Sequence, residues 1–181
     1  MEFDIGGIAP FFRLNNAHPS VGATEMSLDD VMGSKGAIVV FSCLHCPYVV
    51  GSVERIEALA MKARGNNLGF VAINSNAGNE NYSSDSEERT REACERGVSY
   101  PFLIDDQQSV AEDWGAQRTP EFYLINSEKV LIYKGRYDDS PRNPMHATTS
   151  EMNDALDQFL NGENISVGKT DSIGCSIKWI S

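Results

Sequence analysis

The run Gly36–Phe41, "GAIVVF", and the Cys43-Leu44-His45-Cys46-Pro47 that follows it constrain this chain more than any other feature. An unbroken apolar run with β-branched members suits a strand buried on both faces, as found inside α/β sheets. From Pro47 the spacing changes. Val49, Val53, Ile56, Ala60 and Ala63 recur every three or four residues, which predicts one helix of about five turns that stops near Gly65. "LGFVAIN" at 68–74 is a second buried strand. Strand, helix and strand in this order make a right-handed crossover between parallel neighbours. The two cysteines therefore stand where a buried strand gives way to a helix.

The rest of the chain reads as further elements of the same kind. Ser84-Asp85-Ser86-Glu87 offers a capping box for a polar outer helix running to Gly97. "PFLI" at 101–104 is a short strand, and "SVAEDWG" at 109–115 a short helix. "FYLIN" (122–126) and "VLIYKG" (130–135) flank "SEK", the spacing of a β-hairpin. Thr148-Thr149-Ser150-Glu151 can cap a last helix whose buried face is Met152, Ala155, Leu156, Phe159 and Leu160, with Gly162 as its stop. Segments 15–26, 75–83 and 136–148 read as loops, and the tail from Asn164 as irregular. Parallel strands first and a hairpin later predict a single α/β domain over 1–181, a sandwich with a central mixed sheet flanked by helices.

Composition narrows the function. With 181 residues, 41% hydrophobic and 23% charged, the chain has the balance of a water-soluble globular protein. No apolar run approaches the roughly 20 residues that span a bilayer. "MEFDIGGIAPFF" lacks the basic start and apolar stretch of a secretory signal, so the expected location is the cytoplasm. A net charge of −11 without any Lys/Arg cluster argues against nucleic acid or an anionic membrane as partner.

The four cysteines, Cys43, Cys46, Cys94 and Cys175, are too few for a disulfide-stapled scaffold. Haem attachment needs a histidine directly after the second cysteine, and Pro47 stands there. A structural zinc site wants four ligands, yet no second pair has the spacing, and only Cys94, Cys175 and the scattered His18 and His146 remain. Copper held by Cys43, Cys46 and a histidine, or an inert buried pair, are the other readings. Dithiol–disulfide chemistry accounts best for the placement. The unpaired N–H groups and positive dipole end of a first helical turn stabilise a thiolate, drawing its pKa from about 8.5 toward roughly 3.5 to 7.5. The thiolate is the species that attacks a disulfide. On this reading Cys43 is the nucleophile, Cys46 resolves the mixed disulfide, and His45 tunes the pair.

"GIAPFFRL", "VVFSCLHCPYV" and "RTPEFYLI" together resemble the thioredoxin-fold superfamily, most closely the redoxin branch that includes peroxiredoxin-like and thiol–disulfide reductase proteins. The likeness runs from about Ile8 to Leu160, and it implies a thioredoxin-like three-layer sandwich. It also implies a cis peptide at Thr119-Pro120 facing the dithiol, with the backbone of Thr119 pairing an extended substrate segment and Arg118 bringing positive charge near. Three departures stand out. Ser42 replaces the aromatic residue that usually precedes the first cysteine, and Leu44-His45 stands where thioredoxins have Gly-Pro, closer to the oxidase and isomerase members. The peroxiredoxin pattern P-x-x-x-[ST]-x-x-C fits neither cysteine, since Val39 or Gly36 stands in the proline's place. Thiol–disulfide exchange is thus the expected activity, with a thiol peroxidase as the alternative and a Cys/His metal-binding module as a lesser one.

The expected substrates are protein disulfides or a small thiol such as glutathione, recycled by a dithiol partner. No dissociable cofactor is implied, because the electrons reside on the sulfurs. Asn74 and Glu121 are lesser site candidates for polar contact or proton handling. Cys94 reads as a structural thiol. Cys175 reads either as a packed residue of the tail or as a third redox thiol.

Overall fold

The computed structural model describes residues 2–181. Its first strands are β1 (Arg13–Asn16) and β2 (Glu25–Ser27), followed by the short helix α1 (Leu28–Val31). Next come β3 (Gly36–Phe41), α2 (Pro47–Val50), α3 (Val53–Arg64) and β4 (Leu68–Asn74). After α4 (Glu87–Glu95), β5 (Phe102–Ile104) and α5 (Ser109–Trp114), the chain forms β6 (Arg118–Thr119) and the hairpin of β7 (Glu121–Asn126) and β8 (Leu131–Gly135). Helix α6 (Glu151–Leu160) and the two-residue β9 (Cys175–Ser176) complete it.

Seven strands form one sheet in the order β2-β1-β5-β4-β3-β7-β8. β3, β4 and β5 run parallel, while β7 lies antiparallel to β3 with Phe41 opposite Glu121. This is the mixed thioredoxin-like sheet that the sequence implied. Every residue of β3 is buried because both faces are covered. Val39, Phe41, Val71, Ile73 and Tyr123 face α1 and α5, around the fully buried Trp114. Ile38, Val40, Ala72, Phe122 and Leu124 face α3, α4 and α6. At roughly 25 cal/mol per Å² of apolar surface, these two layers are the main force holding the sheet together.

The structure departs from the sequence reading in several places. The helix after Pro47 breaks at Gly51-Ser52. A Cβ at Gly51 would lie 2.4 Å from the Arg142 carbonyl, and Ser52 Oγ donates to the carbonyls of Tyr48 and Pro141 at 2.7 and 2.9 Å. The 136–148 segment thus crosses too close for a straight helix. The expected capping box is absent. Ser86 is the N-cap of α4, accepting from Arg89 N, while Glu80–Asp85 coils as a 3₁₀ turn. Segment 15–26 is not all loop: it holds the end of β1 and the start of β2. Ile8 makes a single bridge to Val130, so the strand in "GIAPFFRL" starts only at Arg13. The tail is packed rather than loose, with Ile177 in the core and β9 paired to β6.

Candidate functional site

The site lies at the carboxyl edge of the parallel strands, the edge where ligands gather in open α/β sheets. β3 delivers Cys43 there. Because β7 runs antiparallel and begins opposite Phe41, the segment before it returns to the same edge. The Thr119–Pro120 peptide in that segment is cis. Cys43 Sγ stands 3.4 Å from Thr119 Oγ1, and the Cys46 thiol donates to the Thr119 carbonyl at 3.6 Å. Cys43, Cys46 and Val49 form a small buried cluster, with Tyr48 and Cys175 packed against it.

The distribution of charge differs from the expectation. Cys46, not Cys43, is the N-cap of α2, with Pro47 in the first helical turn. The Cys46 thiol is drawn down to about 4, first by a hydrogen bond from the Cys43 thiol, then by the thiol and backbone N–H of Cys175 and the N–H of Tyr48, against the opposing effect of burial. Cys43 is pushed up, first because its proton is held in the bond to Cys46, then by burial and by the negative field of Asp85. Cys175 is pushed up to about 11, by burial first and then by its bond to Cys46. Cys46 is thus the thiol that gives up its proton most readily: on ionising it loses the bond to the Thr119 carbonyl and is held by the Cys43 and Cys175 thiols on either side. Cys43 and Cys46 are each 2% exposed, and Cys175 is half-buried.

His45 is engaged by Asp85. Its Nδ1 meets Asp85 Oδ1 at 2.8 Å. The Asp85 carboxylate is fully buried and also accepts from Leu44 N at 2.9 Å and Asn76 Nδ2 at 2.9 Å. A buried carboxylate needs such a set of donors. Asn74 Nδ2 donates to the Asp85 carbonyl at 2.8 Å and to Thr90 Oγ1 at 3.0 Å, so it props the turn beneath the motif and takes no part in contacts with the sulfurs. Nothing local in the chain marks Asp85 as a site residue. It stands in a polar run 41 positions after Leu44, and a carboxylate folded under a motif has no local signature.

The remaining candidates divide. Thr119 is brought to both cysteines. The backbone edge of Thr119, expected to be open to an extended substrate, is filled by β9 of the same chain, with Thr119 opposite Cys175. Arg118 donates to the Gly174 carbonyl at 3.1 Å and acts on Cys175 rather than on the dithiol. Glu121 holds the segment before Pro120, accepting from the N–H groups of Gln117 and Arg118 and from the Tyr123 hydroxyl. Cys94 is buried against the α3 layer and pushed up to about 11 by that burial, as befits a structural thiol. His18 bonds Val98 O at 2.6 Å, and His146 ends a 3₁₀ turn. Among the described residues, no three His, Cys, Asp or Glu side chains gather as ligands around a metal would.

A cleft of about 520 Å³, with Cys43 in its lining, opens between α3 and α4. Leu44, Val49, Val53, Ile56, Tyr100 and Phe102 make much of its wall, and Arg89 and Arg96 contribute charge. Among the described residues no helix is long and apolar enough to cross a membrane.

A family model described as Redoxin matches residues 8–156 of this chain. No curated protein matches it. Among solved structures, an uncharacterized conserved protein from Geobacillus kaustophilus is 36% identical, with 98% of this chain and 93% of that one covered and a TM-score of 0.89. A hypothetical protein from Sinorhizobium meliloti 1021 is 32% identical, with 100% and 97% covered and a TM-score of 0.88. A Chlorobium tepidum protein described as a thiol:disulfide interchange protein has a TM-score of 0.64 over 89% of this chain and 98% of that one. At 16% identity that last likeness is one of fold alone.

Proposed function

This chain belongs to the redoxin family, and from that premise we propose that it is a thiol–disulfide oxidoreductase working through Cys43 and Cys46. The observation that carries the reading is the convergence of both sulfurs on Thr119 beside the cis peptide.

In the reductive direction, a substrate disulfide R–S–S–R′ enters by the apolar cleft beside Cys43. As Cys43 Sγ attacks, its proton passes along the hydrogen bond to the Cys46 thiolate, and R′–S⁻ departs. Cys46 Sγ then attacks the Cys43 sulfur of the mixed disulfide and its proton goes to the leaving R–S⁻. The products are the Cys43–Cys46 disulfide, R–SH and R′–S⁻, so electrons and protons balance. The proton held between the two cysteines lets a buried thiol act as nucleophile without a separate base. His45 and Asp85 would set how strongly the pair holds its charge. Substrates of this chemistry are protein disulfides or small ones such as oxidised glutathione, and a dithiol protein or a small thiol would regenerate the pair. The electrons stay on sulfur, so no dissociable cofactor enters the scheme.

The test is reduction of insulin and of oxidised glutathione by the reduced protein beside Cys43→Ser and Cys46→Ser. Cys46→Ser is expected to fall to the uncatalysed rate, and Cys43→Ser to fall well below the wild type. Variants that match the wild type would defeat the reading. Hydrogen peroxide consumption that depends on either cysteine, without disulfide exchange, would assign a thiol peroxidase instead.

A further inference from the structure

The C-terminal tail lies across the dithiol and is held there from both ends. Before the site, Lys134 N donates to Gly168 O and Thr170 N to Lys134 O, each at 3.0 Å, which ties the tail to the edge of β8. At the site, β9 pairs antiparallel with β6, Arg118 opposite Ser176 and Thr119 opposite Cys175. The approach is so close that a Cβ at Gly174 would stand 2.0 Å from the Thr119 carbonyl oxygen. Beyond the site, Ile177 is 2% exposed in the core, and its N–H reaches Gln117 O at 2.9 Å. The Lys178 carbonyl accepts from the buried side chains of Asn79 and Gln108, each at 2.9 Å.

Two consequences follow for the sulfurs. A peptide substrate cannot add as a strand at Thr119, because the chain's own strand is already there. Cys175 is fixed against the Cys43–Cys46 cluster, and of the three sulfurs it alone belongs to a residue that is not fully buried.

We propose that Cys175 is a third redox thiol, which takes over the disulfide of the Cys43–Cys46 pair by bonding to Cys46 and so carries it toward solvent. The proposal rests on the exchange chemistry above. The Cys175 sulfur attacks Cys46 Sγ, the Cys43–Cys46 bond breaks, and the Cys46–Cys175 bond forms. Cys43 leaves as the thiolate and takes up the proton that Cys175 loses. Nothing is oxidised or reduced overall, because one disulfide moves by one position. The move frees Cys43 toward its cleft. A small thiol R–SH then attacks Cys175 Sγ and Cys46 leaves; a second R–SH releases Cys175 and departs as R–S–S–R, returning three thiols.

Disulfide mapping by mass spectrometry tests this, on full-length reduced protein given one equivalent of oxidised glutathione and then quenched by alkylation. In Cys43→Ser, the Cys46–Cys175 disulfide is expected to exceed glutathione adducts by about tenfold or more, since a preformed contact makes the second step intramolecular. In the wild type, which needs no substitution and guards against a misfolded variant, both Cys43–Cys46 and Cys46–Cys175 bonds are expected. In Cys175→Ser, only Cys43–Cys46 is expected, and its reduction by glutathione slows by about tenfold because attack is left to the cleft beside the nearly buried Cys43. A wild type with Cys43–Cys46 but without Cys46–Cys175, together with Cys43→Ser carrying only glutathione adducts, overturns the third thiol and spares the exchange reading. A wild type that forms neither bond overturns both.

Discussion

Cys46 carries the charge because donors converge on it from three elements: the Cys43 thiol after β3, the Tyr48 N–H of α2, and the Cys175 thiol and N–H of β9. Asp85 works against charge on Cys43, being buried and committed as a carboxylate to Leu44, His45 and Asn76. Asp85→Asn keeps the shape and removes the field. Its expected effect is to lower the pH at which Cys43 ionises, read from the pH profile of alkylation at Cys43. An unmoved profile would show that burial and Cys46 alone govern Cys43. At this scale the sequence was a partial guide. The C-x-x-C spacing and Thr119-Pro120 marked the residues that meet. Which sulfur holds the charge was not legible, because the decision rests with Asp85 and Cys175, brought in from 42 positions beyond Cys43 and 129 beyond Cys46.

Among the elements, the hairpin and the crossover were readable because each is written in a local period. The break between α2 and α3 was not, because its cause lies in the 136–148 segment pressing on Gly51. That segment is fastened by Arg55, whose Nη1 meets Asp138 Oδ2 at 2.6 Å and whose guanidinium also donates to the carbonyls of Gly51, Ser140 and Pro141. The side chains are 14% and 3% exposed, so this pair is out of water. Asp138→Ala leaves a buried guanidinium without its counter-charge, which costs about 3 kcal/mol or more. Urea unfolding checks it: the midpoint should fall with the slope unchanged. A loss under about 0.5 kcal/mol, typical of surface pairs, would mean that the carbonyls suffice. The pairing of β9 with β6 was equally hidden, since two residues have no periodicity to detect.

For the whole molecule, the coupling of thiolate and fold sets a pH dependence. Cys46 falls from an ordinary 9.0 to about 4 on folding, so its contribution is complete above pH 9 and is lost as pH drops toward 4. Cys43 shifts the other way, so its contribution is full below 9.0 and fades only at higher pH. Between pH 8 and 5 the Cys46 effect therefore governs. The reduced wild type should lose more thermal stability over that range than reduced Cys46→Ser does. Parallel curves for the two would place the charge elsewhere.

A stabilised thiolate favours the reduced form and makes the disulfide a better oxidant. The most direct measurement is the equilibrium of Cys43 and Cys46 against glutathione buffers of graded ratio, with each bond mapped by mass spectrometry. The account predicts a two-electron transition more positive than thioredoxin's, which lies at about −270 mV. A potential at or below thioredoxin's, in the range toward and beyond about −300 mV where structural disulfides lie, would contradict it.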